Sequence, residues 1–106
     1  MSSIAVIGGG ASGLAAAIHA AGTRTRVTVF ERNPRVGKKL LATGNGRCNL
    51  THIHADTEHL HRFHGENVEF ARAALAAFSP EDTVAFFEKS GVLCKGEESG
   101  RVYPAC

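Results

Sequence analysis

The sequence predicts an α/β fold that opens on a βαβ unit and continues through two helices to a short hairpin. Three observations predict it. A run of four apolar residues, Ile4-Ala5-Val6-Ile7, passes directly into the glycine cluster Gly8-Gly9-Gly10-Ala11-Ser12-Gly13, and an alanine-rich segment follows. A second apolar run, Arg26-Val27-Thr28-Val29-Phe30, ends at Glu31, about 20 residues beyond the glycines. Later, Ser79-Pro80-Glu81-Asp82 carries the signature of a helix start.

The first strand is short and apolar on both faces, as a buried parallel strand requires. Gly8, Gly10 and Gly13 stand at G-x-G-x-x-G spacing. Without a Cβ, Gly8 can adopt the dihedrals of a tight turn. At Gly10 the missing side chain lets a diphosphate reach the backbone, and at Gly13 it lets the helix pack against the strand. The unpaired N–H groups at the helix start, with the positive end of its dipole, favour an anion there. The helix is expected from Ser12 to Ala21, with Gly22 as a left-handed stop. Glu31 stands where a carboxylate would chelate an adenosine ribose diol, and it is the first acid in the chain.

Asn33-Pro34 interrupts regular structure, and Gly37 to Ala42 fits one helical turn. Thr43-Gly44-Asn45-Gly46-Arg47-Cys48-Asn49 has two glycines and two asparagines, which predicts a loop with positive-φ positions. Its mixture of amides, carboxamides and one guanidinium suits an anion or a polar ring edge; a solvent-exposed turn is the plainer alternative. Thr51 to Gly65 is polar and contains His52, His54, His59, His61 and His64. Their spacing matches neither H-E-x-x-H nor a cysteine-paired zinc motif, so the stretch reads as a solvated connector with no metal. His19, inside the first helix, reads as structural. Apolar residues recur at helical spacing from Glu66 to Phe78, and a capped helix runs from Ser79 to its stop at Gly91. Val92 to Cys94 and Arg101 to Tyr103 read as a hairpin around Gly96 to Gly100.

Composition narrows the function. The chain has 106 residues, 43% hydrophobic and 21% charged, as expected of one small globular domain. Its formal charge is +2, yet seven bases and one acid lie between Arg24 and Arg47. A local basic zone beside a diphosphate site fits a dinucleotide better than a long nucleic acid, because no extended basic face with interleaved aromatics is present. Cys48, Cys94 and Cys106 are odd in number and form no C-x-x-C pair. That disfavours a disulfide framework and points to a reducing, cytoplasmic setting. Neither a signal peptide nor a membrane span is expected.

With these elements in place, the chain resembles the bacterial NAD(P)/FAD-dependent oxidoreductases of the aminoacetone-oxidase-like, BaiN-type flavoprotein group. The glycine cluster, Glu31-Arg32 and the block from Val36 to Thr51 carry the resemblance, with Phe87, Gly91-Val92 and Gly100-Arg101-Val102-Tyr103-Pro104 adding to it. The Gly37 to Thr51 block is the more specific part and favours a functional loop. The resemblance implies FAD in a Rossmann-like domain, with Gly8, Gly10, Ala11, Ser12 and Gly13 at the pyrophosphate and Glu31 with Arg32 at the adenosine ribose. Lys38, Thr43, Asn45, Gly46 and Arg47 would then line the pyrophosphate and flavin side. It implies hydride transfer through flavin with NAD(P)H or oxygen as partner. No residue stands out as a general acid or base, and a packed thiol is the plainer role for Cys48. The resemblance covers all 106 residues but only about a quarter of a full family member. Residues 1–106 are thus expected to be an incomplete FAD-binding domain with the substrate domain absent. The alternative is a non-catalytic fragment with at most weak adenine-dinucleotide affinity.

Overall fold

A computed structural model describes residues 1–105, which fall into two compact units divided at Gly46. The first contains β1 (Ser2–Ile7), α1 (Ala11–Ala20), β2 (Thr25–Phe30) and α2 (Lys38–Ala42), closed by a 3-10 turn at Gly44–Gly46. β1 and β2 pair in parallel, with Ser2 opposite Thr25 and Ile7 opposite Phe30. The pairing extends one step past the strands, where Gly8 N–H donates to the Phe30 carbonyl at 2.8 Å. This is the expected βαβ unit. Parallel strands need a crossover, and α1 supplies it.

One detail of that crossover differs from expectation. α1 does not end on a left-handed Gly22. It ends because Ala21 turns extended (φ −66°, ψ 140°) while its N–H still bonds the Ala17 carbonyl. Gly22 then bridges back to Thr25. The left-handed glycine lies further on: Gly37, at φ +71°, is the residue from which α2 starts. The loop after α2 contains the predicted positive-φ positions, with Gly44 at +59°, Asn45 at +57°, Gly46 at +82° and Cys48 at +59°. Asparagine tolerates that region better than other residues with a side chain.

The second unit contains β3 (Thr51–His52), a 3-10 segment (Thr57–Arg62), α3 (Phe70–Ala77), α4 (Pro80–Lys89), β4 (Cys94–Gly96) and β5 (Arg101–Pro104). The hairpin is as expected, with β4 beginning two residues later than Val92. It also gains a partner: β3 pairs antiparallel with β5, giving the order β3-β5-β4. The His-rich stretch is therefore not a plain connector. Thr51 and His52 belong to the sheet, and Leu60 is buried with Val102 and Tyr103, the apolar core among the described residues. α4 has the full capping box. Ser79 Oγ accepts from Asp82 N–H at 3.1 Å and Asp82 Oδ2 accepts from Ser79 N–H at 3.0 Å. α3 starts four residues later than its apolar spacing suggested, because Phe70, Ala71 and Arg72 N–H bond only three residues back, to the Asn67, Val68 and Glu69 carbonyls, in tight turns rather than an α-helix. No described helix is long and apolar enough to cross a membrane.

Candidate dinucleotide site

The turn between β1 and α1 is built from glycines with separate tasks. Gly8 has φ +99°, a region that side chains rarely adopt. A Cβ on Gly13 would overlap the Gly8 carbonyl oxygen, so α1 and the turn touch backbone to backbone. Gly9 was given no role by the spacing, yet a Cβ there would meet Val36 Cγ1 at 2.6 Å and Glu31 Cβ at 3.3 Å. The signal was its place in a run of three glycines, of which the G-x-G-x-x-G pattern uses only two. At Gly10 a Cβ would meet nothing within 4 Å. Protein packing does not demand glycine at that position, and the space above it is open.

Glu31 locks this turn. Its Oε1 accepts from Gly9 N–H at 2.8 Å and its Oε2 from Asn33 N–H at 2.7 Å. Those two backbone donors, Asn33 first and then Gly9, hold the carboxyl below its ordinary pKa. Glu31 is thus ionised at neutral pH. A carboxylate has about four lone-pair sites, so it can still accept from a ligand hydroxyl. Gly37 N–H donates to the Gly9 carbonyl at 2.7 Å, which ties the start of α2 to the same turn.

The donors of the turn are therefore divided. Gly8 and Gly9 N–H bond within the protein. The first intrahelical bond of α1 runs from Leu14 N–H to the Gly10 carbonyl at 2.9 Å, so the amides of Ala11, Ser12 and Gly13 precede the helical ladder. Gly10 is the N-cap, with no side-chain cap bond and no acid in the first turn. The only carboxylate at this helix start is Glu31, which is engaged at Gly9 N–H, and none caps the first turn of α1 itself.

A cavity of about 930 Å³ opens over these groups, with Gly8, Gly9 and Gly10 along it. That is near the upper end of the roughly 300–1,000 Å³ typical of small-molecule clefts. Its walls combine the apolar ends of both strands, Ile7 and Phe30, with Glu31 and the four bases Arg32, Arg35, Lys38 and Lys39. Of the residues expected at a cofactor, the cavity brings together Gly8, Gly10, Glu31, Arg32 and Lys38. Arg35, Lys39, Ile7 and Phe30 were not expected there. The two bases could have been found from the charge run, and the two apolar residues from their place at the strand ends.

The other expected residues lie elsewhere. Ala11, Ser12 and Gly13 form the first turn of α1. Thr43 caps α2, its hydroxyl donating to the Leu40 carbonyl at 2.8 Å, and Asn45 and Gly46 lie in the left-handed turn that follows. Arg47 opens the second unit. There its Nη2 meets Glu97 Oε2 at 2.8 Å and its guanidinium lies 3.9 Å above the Tyr103 ring.

This donor set fits a diphosphate carried on an adenosine: open amides at an uncapped helix start, an ionised acid 22 residues after Gly9, and surrounding bases. The family profile described as HI0933-like protein Rossmann domain matches residues 2–106. The 3-dehydro-bile acid delta(4,6)-reductase of Clostridium scindens is 45% identical over 98% of this chain and 25% of its own length. The ribosomal RNA dihydrouridine synthases of Haemophilus influenzae and Escherichia coli are 31% and 28% identical, each over 92% of this chain and 24% of their own. The chain thus spans about a quarter of the length of the curated relatives it matches. A parallel βαβ start, the glycine turn and a match over nearly the whole chain place it in the HI0933-like Rossmann domain family.

Proposed function

We propose that the chain is the dinucleotide-binding opening segment of an FAD-dependent oxidoreductase. The observation that carries this reading is the open face above Gly10, at an uncapped helix start, in the same cavity as an ionised Glu31. The amides of Ala11 to Gly13 would receive the pyrophosphate, and Glu31 would accept from the adenosine ribose hydroxyls. Arg32 and Lys38 would offset the phosphate charge. Thr43, Asn45, Gly46 and Arg47 remain candidates for the flavin side. When bound, FAD would supply hydride transfer, with NAD(P)H or oxygen as the second partner. The chain's own part is to bind and orient. It offers amides of fixed direction and a carboxylate held ionised, so neither has to reorganise around the ligand.

The relatives support the cofactor half of this reading and leave the substrate open. One is named for a bile acid and two for ribosomal RNA. What such unlike reactions share over this quarter of their length is better sought in the cofactor. Cys48 and Cys94 are unpaired, which suits a reducing cytoplasmic setting. Residues 1–106 would then be part of an FAD-binding domain.

A second reading is favoured by the exposure of the two apolar walls, Ile7 at 82% and Phe30 at 55%. On that reading the 106 residues bind an adenine dinucleotide weakly and turn nothing over. Titration calorimetry with FAD, NAD and ADP-ribose, together with the visible spectrum of the purified chain, separates the two. Tight FAD binding with flavin absorbance supports the first. FAD and ADP-ribose binding with equal, weak affinity supports the second, and no binding of any of the three refutes both.

A further inference from the structure

We propose that His54, Asp56 and His59 form a binding site for one divalent first-row transition ion of the zinc class. One ligand atom from each residue lies within 4.8 Å of those of the other two, and all three residues are half-buried. In sequence they stand at 54, 56 and 59, a spacing that matches no linear metal motif. The backbone makes the difference. Asp56 is the N-cap of the 3-10 segment, its Oδ1 accepting from Glu58 N–H at 3.0 Å. His59 then leaves helical geometry (φ −121°, ψ 32°). That kink brings its Nδ1 to 2.6 Å from Asp56 Oδ1 and its ring centre to 4.4 Å from that of His54.

The neighbouring histidine separates scaffold from ligand. His52 has both ring nitrogens engaged: Nδ1 accepts from His54 N–H at 3.0 Å, so Nε2 carries the proton and meets the Ser99 carbonyl at 2.9 Å. It pins the backbone of His54 to the sheet. The His54 ring has no hydrogen bond to either nitrogen among the described residues, although it is half-buried against another imidazole. An Asp–His ion pair explains two members of the group and leaves the third imidazole unexplained; a shared cation explains all three. Zinc bound at about 2.0–2.2 Å in tetrahedral geometry holds ligand atoms about 3.4 Å apart, so the three side chains must adjust around it, and His59 Nδ1 and Asp56 Oδ1, now 2.6 Å apart, must separate if both bind. Half-exposed side chains can do that by small rotations. Two imidazoles and one carboxylate suit zinc, cobalt or nickel rather than magnesium or calcium, which prefer oxygen ligands.

The test is a titration of the chain with Co2+ followed by visible absorption, then displacement by Zn2+. The expected result is one Co2+ per chain, displaced by Zn2+ and unaffected by Mg2+. His54→Ala and Asp56→Asn should each weaken Co2+ binding at least about tenfold, as loss of metal-site partners does. His61→Gln should bind as the parent does. Asp56→Asn keeps an N-cap acceptor, and circular dichroism checks that each variant is folded; His59→Gln replaces any that is not. Unchanged affinity in the folded His54→Ala or Asp56→Asn variant overturns the site, as does Co2+ binding no tighter than millimolar in the parent.

Discussion

The sharpest test of the glycine turn is a pair of single-methyl additions, Gly13→Ala and Gly10→Ala, which the structure expects to act in different ways. A Cβ on Gly13 lands within the van der Waals envelope of the Gly8 carbonyl oxygen, with the Gly8 carbonyl carbon at 3.0 Å as the next obstacle. The clashing atom belongs to the backbone, so no side-chain rotation relieves it. α1 must withdraw from the turn by on the order of 1 Å, and overpacking of this kind costs about 1–3 kcal/mol. The amides of the first turn move with the helix, so ligand affinity falls as well. At Gly10 the outcome is reversed. Its φ of −87° suits alanine and the new methyl meets no protein atom, so stability should stay within about 1 kcal/mol of the parent. The methyl instead occupies the space a diphosphate would enter. Loss of one hydrogen bond to a charged group, worth about 1.5–3 kcal/mol, predicts roughly a ten- to hundredfold weaker affinity. Urea unfolding followed by circular dichroism reads the first quantity, and calorimetric titration with ADP-ribose the second. If Gly10→Ala binds within twofold of the parent, no phosphate approaches that backbone. A Gly13→Ala variant as stable as the parent would show that the contact between turn and helix is not close.

Glu31→Gln tests the lock on the same turn: ADP-ribose affinity should fall at least about tenfold, since an amide is a poorer acceptor for both N–H and ribose groups. The parent's folding stability, read in urea, should also depend on pH. The Glu31 pKa is lowered in the folded chain, so its contribution is complete above the ordinary glutamate pKa and is lost as pH falls through the depressed one. An acid limb that is equally present in Glu31→Gln would assign it to another group. In the second unit, Gly100 has φ +92° and a Cβ there would lie 2.5 Å from His52 Cε1, so Gly100→Ala should destabilise the chain by about 1–3 kcal/mol in urea unfolding. A neutral effect would mean that the His52 ring does not rest on Gly100. Ser79→Ala removes the α4 cap and should cost about 0.5–2 kcal/mol in the same assay. No change would mean that the capping box contributes nothing measurable.

Local chemistry made the first unit legible. β1, the glycine turn, α1 and β2 are each determined by residues within a few positions, and Asn45 and the Ser79 cap announce their geometry by residue type. What stayed hidden depends on distant partners. β3 is two residues long, too short for any periodicity, and becomes a strand only because β5 lies beside it, with His52 opposite Arg101. The bond from Gly9 to Glu31 spans 22 residues, so the sequence suggested a ribose acid without showing that it also holds the turn. The His54, Asp56 and His59 group depends on one non-helical residue inside a 3-10 segment. Apolar spacing ran α3 back to Glu66, but the backbone there closes three-residue turns, which a pattern of side chains does not distinguish from an α-helix.

The distribution of charge around the glycine turn is the feature most in need of a ligand. A helix start already carries about half a positive charge. Here it shares a cavity with four bases and a single acid, and two backbone N–H groups already claim that acid. A free chain pays for this arrangement in self-repulsion. Protein anions could have relieved it at the N-cap or in the first turn of α1, yet Gly10 caps nothing and the first turn has no acid. A diphosphate brings negative charge to the amides, and the ribose beside it brings hydroxyl donors to the remaining lone pairs of Glu31. On the proposed reading, one adenosine diphosphate moiety would satisfy both unmet demands of the cavity. A simple anion such as sulfate meets only the first, which is why ADP-ribose should bind more tightly than sulfate, and why Glu31→Gln should narrow that gap.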